Sequence, residues 1–115
     1  MLTGHVGGER KGFHAVALRN GVFEEATSTK PAEIVRWCLD WKTNIVAVDA
    51  PCGWSQSTSS RLAEQDLKLA GKKIHCFATP TRAHALSHKK GFYDWVFNGE
   101  TLYHLLAVCL TEVFN

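Results

Sequence analysis

The stretch "NIVAVDAPCGWS", residues 44 to 55, is an unbroken apolar run that ends in an acid, a proline, a cysteine and a glycine. It shows no alternation of apolar and polar residues, as expected of a central parallel strand covered on both faces. A carboxylate at the end of such a strand is costly unless it is paired, hydrogen-bonded or bound to a cation. Asp49 is therefore expected where the strand emerges from the sheet, beside a partner. That requirement selects folds in which helices cover a sheet and an acid stands at a strand end.

The flanking segments fit around this strand. "GFHAVALRNGVFEEATS" reads as a hairpin, because two β-prone runs flank Asn20-Gly21, a dipeptide that favours the positive φ angles of a tight type I′ turn. Strands are predicted near 12 to 19 and 22 to 27. "MLTGHV" is a short first strand, and "GGERKG" is a glycine-bounded basic loop leading into the second. In "KPAEIVRWCLDWK", Pro31 suits a first helical turn and Ile34, Cys38 and Trp41 recur at helical spacing. "SSRLAEQDLKLAGKK" is a second helix, with serines for an N-cap and Gly71 as the stop beside Lys72 and Lys73, which complement the helix dipole. "IHCFATPT" reads as a short extended segment. "NGETLYHLLAVCLTEVF" places Leu102, Leu105, Leu106, Cys109, Leu110 and Val113 along one helical stripe that needs a covering partner. The order is a three-stranded antiparallel meander, a helix, a parallel central strand, then two helices. This is an α/β fold in a single domain spanning residues 1–115.

Composition excludes several function classes. At 115 residues the chain is long enough for one packed core, and 45% hydrophobic with 21% charged residues is an ordinary globular balance. A formal charge of +2 does not by itself imply nucleic-acid binding. The longest apolar segment is broken by Glu100, His104 and Glu112, so no membrane span is expected. "MLTGHVGGER" has neither the basic nor the apolar region of a secretion signal, which makes the cytoplasm the expected location. Cys38, Cys52, Cys76 and Cys109 form no Cys-x-x-Cys pair, and three lie in apolar company, so buried reduced thiols are expected. Zinc ligation through "IHC" is disfavoured, since His75 and Cys76 would point to opposite faces of a strand.

Four blocks, "GGERKGFHAVAL", "VAVDAPCGWS", "CFATPTR" and "GFYDWVFNGETLY", follow one another over nearly the whole chain. Together they resemble domain-of-unknown-function family 429, a family of predicted RNase H-like nucleases. The resemblance implies a ribonuclease-H-like arrangement in which an acid on the first strand and an acid at the end of the fourth hold divalent metal. Asp49 matches the second position, at the carboxyl end of a strand where α/β sheets place their sites. The first-strand position falls on His5. An imidazole there suits manganese or zinc better than magnesium, and a two-metal site with ions about 4 Å apart normally needs several carboxylates.

A full ribonuclease-H-like domain continues into a fifth strand and further helices, whereas "TEVFN" stands where that strand would begin. The expectation is a truncated ribonuclease-H-like domain whose uncovered helix and sheet edge pair with a second copy, forming a homodimer. The resemblance further implies Asp49, Glu64 and His5 as catalytic candidates, Asp49 and His5 as ligands of manganese or magnesium, and Arg10, Lys11, Arg61 and Arg82 as phosphate-steering groups.

Each of these residues also has a plainer role open to it. Asp49 is a metal ligand or the cap of the turn made by Ala50, Pro51 and Gly53. His5 is a ligand or base, or a partly buried strand histidine. His14 is expected to pair with a backbone group. Arg61 and Glu64, in the family's Arg-x-x-acid pattern but with Leu62 where proline is common, complete an acidic cluster or form an intrahelical ion pair. Arg82, His84, His88, Lys89 and Lys90 with Phe92, Tyr93 and Trp95 have the composition of a nucleic-acid contact, or of a solvated loop before an aromatic knot. A third chemistry, nucleotide binding of the actin and sugar-kinase type, would use the "VGGERKG" hairpin.

Overall fold

The computed structural model describes residues 2–7, 11–57, 60–69 and 77–109. Among them the chain forms β1 (Leu2–Val6), β2 (Phe13–Arg19), β3 (Val22–Ser28), α1 (Pro31–Asp40), β4 (Val46–Asp49), α2 (Leu62–Leu69), α3 (Arg82–Ser87) and α4 (Asp94–Cys109). Two compact units divide the chain, one of Met1–Cys52 with Lys90–Asn115 and the other of Gly53–Lys89.

The first unit carries a mixed four-stranded sheet in the order β3-β2-β1-β4. β1 with β2 and β2 with β3 are antiparallel, and β4 runs parallel to β1. The meander, helix and parallel strand thus follow in the expected order. Asn20 and Gly21 take φ of 52° and 76°, the two positive angles a type I′ turn demands. Gly12 enters β2 at φ 61°, where a Cβ would lie 2.5 Å from the Ser28 carbonyl oxygen, so a side chain is excluded on both counts.

Pro31 opens α1, and the hydroxyl of Ser28 ties its start: it accepts the Lys30 N–H at 2.9 Å and donates to Glu33 at 2.5 Å. The helix ends where Lys42 turns to φ 50° and donates its N–H to the Leu39 carbonyl at 3.0 Å. The Arg19 guanidinium stands 5.3 Å from the centre of the Trp41 ring, a cation over an aromatic face.

One face of the sheet holds the core of this unit. Val6, Phe13, Ala15 and Ala17 bury against Ile34, Val35 and Cys38 of α1 and Leu102 and Leu106 of α4. The expected stripe on the last helix therefore finds its cover within this unit. Trp37, Trp41, Val46, Val48 and Leu105 flank the cluster.

Several expectations are corrected. β4 stands at a sheet edge among the described residues, and its burial alternates: Val46 and Val48 are half-buried, Ala47 and Asp49 exposed. An all-apolar strand thus has helical cover on one face only, because α1 and α4 pack on the same side. Three helices follow β4 rather than two. The unforeseen one, α3, starts where the Thr81 hydroxyl accepts the His84 N–H at 3.2 Å. α4 begins at Asp94, ahead of Asn98. Residues 77 to 80 form no strand, while Ile74 to Cys76, Gly71 to Lys73, Leu110 and Val113 lie outside the described residues. Cys38 is buried as expected, but Cys52, in the turn after β4, and Cys109, at the end of α4, are exposed. No helix of the described residues is long and apolar enough to cross a membrane.

Two predictions follow from this packing. Burial pushes the Cys38 thiol up to about 11, against the opposing effect of a backbone hydrogen bond. Native protein treated with iodoacetamide near pH 8 is expected to react at Cys52 and Cys109 and to spare Cys38 until denaturant is added, as mass spectrometry of the digest will show. Gly99 of α4 lies so close to the end of β4 that an added Cβ would sit 2.7 Å from the Ala50 Cβ. Gly99→Ala is expected to cost about 1–3 kcal/mol in urea unfolding, the usual penalty of overpacking.

Candidate functional site

The ends of β1 and β4 are held by polar groups of α4. The Tyr103 hydroxyl lies 3.2 Å from the carbonyl oxygens of both Val48 and Ala50, the residues on either side of Asp49. Its single proton is shared between them. The Asn98 amide donates to the Gly7 carbonyl at 3.0 Å, just past the end of β1. These bonds satisfy strand-end carbonyls that the ladder leaves over, and they set the height at which positions 5 and 49 leave the sheet.

Register does the rest. His5 is the Cα partner of Asp49 in the parallel pair and of His14 in the antiparallel pair, and His14 is in turn opposite Thr27. Directly paired positions share a face, so 14, 5 and 49 form one row across three strands. That face is opposite to Phe13, Ala15 and Ala17, hence opposite to α1 and α4. Asp49 and His14 are exposed on it; the His5 side chain lies outside the described residues. His14 does not pair with a backbone group as expected: its Nε2 lies 3.8 Å from Glu25 Oε2, on β3.

The second unit holds a different constellation. Glu64, on the first turn of α2, is 5% exposed. Its carboxylate accepts the Thr79 N–H at 3.0 Å, the Thr79 hydroxyl at 2.8 Å and the Arg61 N–H at 3.0 Å. The Arg61 guanidinium adds contacts from Nε at 3.4 Å and Nη2 at 3.3 Å. A serine cap was expected at this helix start. The glutamate instead reaches back to the N–H three residues earlier, one half of a capping box, and the Gln65 amide donates to the Ser60 carbonyl at 2.5 Å. The Arg61–Glu64 pair is thus part of a buried anchor between α2 and the 79–80 segment, which the Ser55 N–H also ties by donating to the Pro80 carbonyl at 3.0 Å. Burial pushes the Glu64 carboxyl up, but hydrogen bonds from Thr79 and Arg61 outweigh it and hold its pKa below the ordinary 4.5. A cavity of about 600 Å³ opens beside this anchor, lined in part by Trp54, Ser57, Arg61, Leu62 and Gln65.

Of the remaining expected site residues, Lys11 is exposed in the loop before β2, Arg82 is exposed at the start of α3, and Arg10 lies outside the described residues. The His84 and His88 rings are 5.8 Å apart, and Phe92 meets Tyr93 edge to face at 4.8 Å. Among the described residues no three His, Cys, Asp or Glu side chains gather as a metal cluster. Thr79, which takes two of the carboxylate's hydrogen-bonding positions, was not singled out in the sequence. Its only sequence signal is its place in "CFATPTR".

A family model described as "Protein of unknown function (DUF429)" matches residues 6–93. The chain belongs to that family. No curated protein and no solved structure matches it. The matched span of DUF429 takes in β2, β3, α1, β4, Asp49 and the Arg61–Glu64–Thr79 anchor, and ends just before α4.

Glu64→Gln replaces one accepting oxygen by a donor facing Thr79 or Arg61. It is expected to destabilise the protein by about 2 kcal/mol at pH 7, the usual penalty for breaking buried hydrogen bonds to a charged group. The native pKa is lowered, so the carboxylate's stabilisation is fully present above 4.5 and is lost as pH falls through the native value. Guanidinium unfolding at pH 7 and pH 3 will show wild type losing more stability than Glu64→Gln over that interval.

Proposed function

We propose that this DUF429 chain is a ribonuclease-H-like domain that binds a divalent cation between β1 and β4, assembles as a homodimer, and has weak or no hydrolytic activity. The observation that carries the reading is the parallel pairing of β1 with β4 in the register that sets His5 beside Asp49. Strand order, a helix before the fourth strand and an acid ending that strand are the features the family resemblance leads one to expect.

The donor set was weighed against the metal. One imidazole and one carboxylate in neighbouring register suit manganese or zinc, and do not suit the all-oxygen shell that magnesium prefers. His5 and Asp49 would hold the cation, which, when bound, supplies Lewis-acid stabilisation of a phosphate oxygen. The chain's own groups have the remaining tasks. Asp49, exposed at the strand end, marks where an anionic substrate would be drawn in by the cation. Lys11 and Arg10 on the β1–β2 loop and Arg82 on α3 are placed by this reading as phosphate-steering groups. Arg61 and Glu64 serve it less directly, since Arg61 is engaged by the buried glutamate. Efficient two-metal hydrolysis asks for more carboxylates than this row offers, which favours a binding role over a catalytic one.

Support for the homodimer comes from the open side of the sheet. β4 is an edge strand among the described residues, Ile45 before it is 55% exposed, and Val108 near the end of α4 is 76% exposed. Apolar residues beside an unpaired edge favour association with a second copy.

Manganese is expected to raise the melting temperature of the wild-type protein and not that of Asp49→Asn, with hydrolysis of a single-stranded oligonucleotide indistinguishable between the two. Rapid Asp49-dependent hydrolysis would establish the nuclease alternative. Stabilisation by a nucleotide without metal would favour the actin-like alternative. Sedimentation equilibrium should give twice the chain mass, and a monomer at all concentrations would remove the dimer from the reading.

A further inference from the structure

We propose that His14 joins His5 and Asp49 in a mononuclear site with two imidazoles and one carboxylate, selective for a borderline cation such as zinc over magnesium. The inference rests on the reading of His5 and Asp49 as a cation-binding pair, and adds a third ligand from β2 that the family resemblance does not supply.

The geometry starts from the row 14–5–49, Cα partners across β2, β1 and β4. Neighbouring strands lie about 4.8 Å apart, so the three positions span about 10 Å with position 5 in the middle. Directly opposed positions of an antiparallel pair have Cβ atoms about 5 Å apart, a separation from which two histidines on one face can share one ion. A carboxylate one strand further on supplies a third donor. Zinc takes nitrogen ligands at about 2.0 Å and carboxylate oxygen at about 2.1 Å, and three protein ligands leave a position for water or substrate.

The setting of the row favours binding. It lies on the sheet face that α1 and α4 leave uncovered, and His14 and Asp49 are both exposed, so an ion can arrive without opening the core. The existing partner of His14 does not compete strongly: its contact with Glu25 is long, at 3.8 Å, and the two side chains are 47% and 63% exposed. Glu25 instead fits the role of a carboxylate that receives the second imidazole N–H and orients the ring, a common companion of metal-bound histidine. With Nε2 turned toward Glu25, Nδ1 is the nitrogen left for the metal. Donor chemistry then decides the ion, because two imidazoles and one carboxylate match zinc or manganese and leave magnesium with too few oxygens.

Isothermal titration of the full chain, stripped with chelator, with zinc, manganese and magnesium chlorides tests this. The expected result is one zinc per chain, magnesium binding at least a hundredfold weaker, and a loss of at least tenfold in zinc affinity in each of His14→Ala, His5→Ala and Asp49→Asn. Glu25→Gln should lose less. Zinc on the exposed thiols of Cys52 and Cys109 is separated from this site by cobalt substitution, since thiolate ligation adds an intense near-ultraviolet charge-transfer band that nitrogen and oxygen ligands lack. Such a band in the one-equivalent complex would overturn the assignment. If His14→Ala binds as wild type while His5→Ala and Asp49→Asn do not, the third ligand is wrong and the two-residue reading stands. If wild type binds none of the three ions, both fail.

Discussion

The shared hydrogen bond between the Tyr103 hydroxyl and the carbonyls of Val48 and Ala50 is the contact on which the site end of the sheet depends. β4 is only four residues long and pairs with one neighbour among the described residues, so its own ladder holds it weakly. α4 supplies the missing restraint in three ways at once. Tyr103 binds the strand end, Gly99 allows the helix to approach Ala50 closely, and Asn98 fastens the exit of β1. Leu102 and Leu106, from the same helix, bury in the core below. Packing and polar clamping therefore come from one element, and a change on α4 is transmitted to Asp49 without touching it.

The second unit rests on a different kind of anchor. Glu64 collects the N–H groups of Arg61 and Thr79, the Thr79 hydroxyl and the Arg61 guanidinium on one buried carboxylate. Buried charge is costly unless its lone pairs are taken, and here the donors outweigh the burial, as the lowered pKa reflects. The same residue that the family resemblance presents as a member of an acidic cluster is, in its own unit, a structural joint. The half-exposed Arg61 beside a sizeable cavity leaves this unit room for a recognition role of its own.

Local chemistry made part of the fold legible in the sequence. Asn20-Gly21 fixes a hairpin through angles that few other dipeptides accept, and Pro31 marks a helix start through its locked φ. Other features depend on partners distant along the chain. "NIVAV" reads the same whether one or both faces are covered, so the exposure of Ala47 and Asp49 could not be read from it. α3 spans six residues, too few to show a helical period. Glu64 looked like half of a surface ion pair because its decisive partner, Thr79, lies fifteen residues away. His14 looked ordinary because its place beside His5 and Asp49 is a matter of register between strands, which composition does not encode.

The account's central claim is therefore one of register, since a slip of one residue between β1 and β4 would turn Asp49 toward the core face and dissolve the row. Backbone nuclear Overhauser contacts in a uniformly labelled sample measure it directly. Cross-strand contacts linking Gly4 to Val48 and His5 to Asp49 are predicted. Contacts displaced by one residue, or a β4 that pairs elsewhere, would contradict the arrangement of His14, His5 and Asp49 on one open face.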